Sequence, residues 1–204
     1  MKKATVFTML IVGMVIASGS LGFAQVETDS KSFTLSATVP NATAFSIDAF
    51  VSINGGPQEL VTGTTLNFGT LSYDTVNGIY RSDRDFRIQV ASSNGSGNPN
   101  VTVQYTGNSV PPGQTRPGLT HKSVITFNKV LGNTETQLPS HPRKILNALN
   151  ESILASEFNP GEYLKMYLGI TDGGPGEPTG AQPFTNLDRP GTYSGTLIVT
   201  ATAA

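Results

Sequence analysis

The sequence contains no cysteine and no tryptophan, and charged residues make up only 13% of its 204 positions. Without cysteine there is no disulfide, no thiolate nucleophile and no cysteine-ligated metal, so packing and strand pairing must hold the fold. Thirteen Lys and Arg stand against fourteen Asp and Glu, a net charge of −1. That balance lacks the basic surface that phosphate recognition requires, which argues against nucleic acid as a partner. So low a charge density also excludes a coiled coil or long solvated helices. What is abundant is glycine (22) and proline (13), together with enough apolar residues (37%) to bury a core.

The first residues have the form of a secretory signal. Lys2 and Lys3 precede an apolar run from Val6 to Ala17, too short for an ordinary membrane span, and Gly22 and Ala24 are the small residues expected before a cut. The expected organisation is a signal peptide at 1–24, an N-terminal arm at 25–40 and a single domain at 41–204, with the mature chain exported. An uncleaved anchor fits less well, because Gly13 and Ser18 interrupt the run.

Beyond the signal, apolar and polar residues alternate with the period of two that marks half-buried strands. Phe33, Leu35, Ala37 and Val39 form the first run, and Phe45, Ile47, Ala49, Val51 and Ile53 the second. Further runs are centred on Leu66 and Phe68, Leu71 and Tyr73, Phe86 to Val90, Val101 to Tyr105, Val124 to Phe127, Leu164 to Ile170 and Tyr193 to Ala201. One segment, 142–158, reads as a short helix, with Ile145, Leu149 and Ile153 at intervals of four and Pro142 in the first turn. The expected fold is an all-β sandwich with one short helix. Two segments rich in proline and glycine, 109–118 and 171–190, are expected to be long loops.

Motifs that carry chemistry are scarce. His121 and His141 have no metal-ligand spacing and are expected to be exposed. The run Arg81-Ser82-Asp83-Arg84-Asp85 suits a solvated strand start with local ion pairs. Asp172-Gly173-Gly174 resembles the opening of a calcium loop, yet the later acidic positions are missing. There is no phosphate loop and no nucleophile elbow. A pair of acids could form a glycosidase site, but no tryptophan is available to stack on a sugar. The expectation is no enzyme, no metal and no cofactor.

The arm is the distinctive feature. An apolar alternating strand directly behind the cleavage site is an aggregation hazard unless something receives it. It could be the first strand of its own domain, or it could pair with a neighbouring subunit by strand addition. Burying its larger side chains would contribute roughly 1.5–3 kcal/mol each.

The arm Ser32-Phe33-Thr34-Leu35-Ser36-Ala37-Thr38-Val39-Pro40, the domain opening Phe45-Ser46-Ile47, the segment Leu66-Asn67-Phe68-Gly69 and the closing run Gly191-Thr192-Tyr193-Ser194-Gly195-Thr196-Leu197-Ile198-Val199 follow one another in a telling order. This layout resembles the subunits of chaperone–usher pili, in particular the cysteine-free major subunits of alpha-type fimbriae. The resemblance implies an immunoglobulin-like β-sandwich that lacks its final strand and carries an N-terminal donor strand. It implies Phe33, Leu35, Ala37 and Val39 as donor residues, and Phe45, Ile47, Leu197 and Val199 as residues lining the acceptor groove. It further implies a surface fimbria that supports adhesion or biofilm formation in a Gram-negative-type bacterium, with copies of itself or related pilins, a periplasmic chaperone and an outer-membrane usher as partners. A monomeric secreted sandwich that recognises a glycan or host surface is the alternative, and a small secreted hydrolase the third reading.

Overall fold

A computed structural model describes residues 45–92 and 97–204, together with the backbone of 31–38. Residues 1–24, expected to be a signal peptide, and Val39 and Pro40 of the arm lie outside the described residues. Among the described residues, fifteen strands carry almost all the regular structure. They are β1 (Lys31–Thr38), β2 (Phe45–Ile53), β3 (Gln58–Leu60), β4 (Thr65–Gly69), β5 (Ser72–Asp74), β6 (Ile79–Arg81), β7 (Arg84–Ser92) and β8 (Asn100–Ser109). After one helical turn, α1 (Leu119–Lys122), come β9 (Ser123–Leu131), β10 (Thr134–Gln137), β11 (Lys144–Ile145), β12 (Asn150–Ile153), β13 (Tyr163–Ile170), β14 (Phe184–Thr185) and β15 (Tyr193–Thr202). The fold is all-β. Among the described residues no helix is long and apolar enough to cross a membrane.

Two sheets enclose one core. The first runs β12-β8-β15-β1-β4, and the second β10-β9-β13-β7-β2-β3 with β11 also on β9. A three-stranded sheet, β14-β6-β5, lies apart from these ladders. The period-two pattern explains the layering. Phe86, Ile88 and Val90 of β7 and Leu164, Met166 and Leu168 of β13 face inward from the second sheet, to meet Val101, Val103, Leu197 and Val199 of the first. Every residue in that group is at most 2% exposed, so the alternation read from the sequence marks the core.

The segment 142–158 is not a helix. β11 pairs with β9 and β12 with β8, and a 3-10 turn follows at Ala155–Glu157. The interval of four belongs to residues anchored in different ways. Leu146, Leu149 and Ile153 are buried, while Ala148 between them turns the chain at φ 53°. Two open strand edges outcompete a helix whose propensity is only a weak prior.

Candidate functional site

The feature that most constrains function is the position of the arm. β1 lies inside the first sheet, hydrogen-bonded to β15 on one side and β4 on the other. It runs parallel to β15 with Phe33 opposite Gly195, Leu35 opposite Leu197 and Ala37 opposite Val199. Against β4 it is antiparallel, Phe33 opposite Leu66, with a register shift between Lys31 and Ser32. Among the described ladders the β1–β15 pair alone is parallel. Without β1, β15 and β4 would present two unpaired edges above Leu66, Phe68, Leu197 and Val199, all of which are fully buried.

The closing motif builds one wall of this groove. Tyr193 is 1% exposed and its hydroxyl donates to the Arg189 carbonyl at 2.7 Å, which fixes where β15 begins. Gly195 opposes two residues of β8, Gly107 and Asn108, in a β-bulge. Gly107 has φ 72°, the left-handed conformation that such a bulge places on glycine. A side chain at Gly195 would collide with the Tyr105 ring, so glycine there lets β8 and β15 stay paired beside the arm.

The predicted groove residues divide between the two sheets. Leu197 and Val199 stand on β15 next to the arm, and their complete burial settles the inward parity that sequence leaves open. Phe45 and Ile47 belong to β2 in the facing sheet, where Phe45 is buried and Ile47 packs against the core. The strand across β1 from β15 is β4, while β2 lies in the facing sheet. Phe33, Leu35 and Ala37 occupy register positions in β1, and Val39 lies outside the described residues.

Sequence reasoning missed the tie between the two long loops. Lys122, at the end of α1, is fully buried, and its Nζ donates to the Pro183 carbonyl at 2.9 Å and to Asp188 Oδ2 at 3.0 Å. Asp188 is 3% exposed, and it also accepts from the Gln114 amide at 2.9 Å and the Thr185 backbone N–H at 2.8 Å. Arg116 Nε stands 3.8 Å from Asp188 Oδ1. Burial lowers the pKa of the Lys122 ammonium, opposed by its hydrogen bond to Asp188. Segments 109–118 and 171–190 are thus fastened to each other and to α1. No local pattern marks Lys122 and Asp188, which are brought together only by the fold.

His141 is not the exposed histidine expected. It is 7% exposed, with Nδ1 2.7 Å from Glu151 Oε2 and Nε2 3.1 Å from Glu157 Oε1. Lys144 also donates to Glu151, at 2.5 Å. Burial pushes the Glu151 carboxyl up, but the hydrogen bonds from Lys144 and His141 outweigh it and hold the group below the usual glutamate range. At Glu157 burial is likewise outweighed by donors from Leu154, Ser140 and His141. Each carboxyl has a lower pKa folded than unfolded. Their contribution is therefore full above the unfolded value, about 4.3, and is lost as pH falls through the folded value. The thermal midpoint is expected to drop steeply below about pH 4. Glu151→Gln should cost about 1.5–3 kcal/mol at neutral pH and flatten that acid limb; circular-dichroism melts across pH measure both.

Among the described residues no group of three or more His, Asp or Glu is arranged to hold a metal ion. His141 and its two glutamates form a closed, mutually satisfied cluster that joins the 3-10 turn to β12. No family model matches the chain, and neither a curated protein nor a solved structure matches it.

Proposed function

We propose that this chain is a structural subunit that polymerises into a surface fimbria by donor-strand exchange. On this reading the all-β domain is an immunoglobulin-like sandwich without its own final strand, and the arm supplies that strand. The observation that carries it is the seat of β1 between β15 and β4, parallel to β15. Six residues lead from a strand of one sheet to β2 in the other. Exchange would need no new kind of contact, because the same strand can fill the same groove of a second copy with its ladder unchanged. Export, chaperone and usher belong to this reading through the resemblance of the arm and the closing strand to pilus subunits.

Electrophoresis of the mature protein, with and without boiling in SDS, tests the proposal. Inserted strands leave in one cooperative step, so polymers should resist SDS at room temperature. The expected result is a ladder that collapses to monomer on boiling and is absent when residues 25–40 are deleted. A single monomer band in both lanes, from cells that carry the chain's own assembly genes, would overturn it.

A further inference from the structure

The outer face of the second sheet, turned away from both the core and the arm, carries a polar cleft. Its main part has a volume of about 410 Å³ and adjoins a depression of about 280 Å³, with Asp85, Arg143 and Ile170 lining both. Asp85 projects from β7 between the inward-facing Phe86 and the loop before it, and Gly169 of β13 lies beside it. A Cβ on Gly169 would stand 3.1 Å from Asp85 Oδ1, so glycine keeps the floor of the cleft open.

Two carboxylates in this cleft have unused acceptors. Glu177 has a side chain only 9% exposed; its Oε1 accepts from Arg143 at 3.1 Å, while Oε2 is buried with no hydrogen-bond partner. The Asp85 carboxylate, exposed to solvent at the rim, has no hydrogen-bond or ion-pair partner among the described residues. A buried acceptor left unpaired, as Glu177 Oε2 is, has a cost that a ligand donating to it would recover.

The chemistry of the lining selects among ligands. A metal ion is a poor fit, because no three ligating side chains converge here and Arg81 and Arg143 bring positive charge. An anion is a poor fit as well. The three carboxylates of the cleft, Asp85, Asp172 and Glu177, outnumber the guanidiniums of Arg81 and Arg143 and repel it. An apolar molecule would strand these groups without water. A neutral polyhydroxyl molecule matches, since each hydroxyl can donate to a carboxylate and accept from a guanidinium or a side-chain amide such as that of Gln58.

We propose that this cleft binds a neutral saccharide, with Asp85 and Glu177 accepting from its hydroxyls and Arg143 donating to them. The cleft and the arm lie on different sheets, so a subunit can hold a donor strand and a sugar at once, and the inference does not depend on polymerisation. Tyr167 supplies the aromatic ring in the lining, in a chain that has no tryptophan.

The test is saturation-transfer NMR on the mature chain with galactose, mannose and N-acetylglucosamine, each as monosaccharide and short oligomer, beside N-acetylneuraminic acid and calcium chloride. At least one neutral sugar should bind, and Glu177→Gln should weaken it about tenfold or more, since it replaces a charged acceptor. Asp85→Asn, at an exposed position, gives an independent variant should Glu177→Gln fail to fold. Binding by none of the neutral sugars, binding unchanged in the folded variants, or binding of neuraminate or calcium alone would each overturn the proposal.

Discussion

A chain lacking residues 25–40 is expected to lose its stable fold and to regain it when a peptide of residues 31–40 is added. In the intact protein all eight residues of β1 pair along β15 from Tyr193 to Thr200, and the first four, Lys31 to Thr34, also pair along β4 from Gly69 to Thr65. Each ladder hydrogen bond contributes about 0.5–1.5 kcal/mol net. Opening the gap also brings water to Leu66, Phe68, Leu197 and Val199, now fully buried, at about 1.5–3 kcal/mol for each large side chain exposed. The sum is comparable with the whole stability of a domain, about 5–15 kcal/mol. Urea titration of the truncated chain, alone and with the peptide, reads this directly. Alone it should show no cooperative transition, or a midpoint close to zero denaturant; with peptide the transition should return. A truncated chain that unfolds cooperatively at the full-length midpoint would show that the arm is dispensable to the domain and that the groove is not open without it.

The second large effect is expected at Asp188. Replacing it by alanine leaves the fully buried Lys122 ammonium with the Pro183 carbonyl as its remaining hydrogen-bond acceptor. An uncompensated buried charge costs about 3–5 kcal/mol, which for a domain of this size lowers the melting midpoint by about 10 °C or more. Lys122→Met removes the charge itself, keeps an unbranched side chain against the Phe184 ring, and should cost less than half as much. Combining the two changes should be less damaging than Asp188→Ala alone, because the buried pair is removed together. Calorimetry of the three variants gives the coupling. If Asp188→Ala and Lys122→Met prove additive, the ion pair does not fasten the loops. Because the same pair ties 109–118 to 171–190, the Asp188 variant should also be cut by protease within those segments while the parent resists.

Most of the strand framework was legible because a strand announces itself locally. Residues two apart share a face, and in β7, β13 and β15 that spacing alone identifies the buried set. The 142–158 segment misled for the complementary reason. Its interval of four imitates a helix face, but the partners that decide its backbone, Val101 to Gln104 and Val124 to Ile125, lie far away in sequence. His141 was misjudged for the same cause, since neither Glu151 nor Glu157 stands at a spacing that suggests a ligand or an ion pair.

The candidate groove was half legible. The apolar alternation of the arm, and the glycines and tyrosine of the closing strand, stand out in the amino-acid order alone. That β15 flanks the arm was expected; that β4 does so on the other side was not, because short strands carry too few residues to reveal a partner. The polar cleft was invisible in sequence. Asp85, Gly169 and Glu177 come from two strands and a loop, and the run around Arg81 suggested only surface pairing.

By itself, then, the sequence determined that this chain is all-β, that its core is one alternate face of each long strand, and that residues 31–38 form an alternating strand. These follow from composition and from a period of two, which are local. Only the tertiary structure decided which strands are neighbours, where the arm sits, and that Lys122 meets Asp188. Strand pairing and buried ion pairs are contacts between distant segments. They are chosen by how two sheets close over one core, where a polar group stays only if the fold brings it a partner.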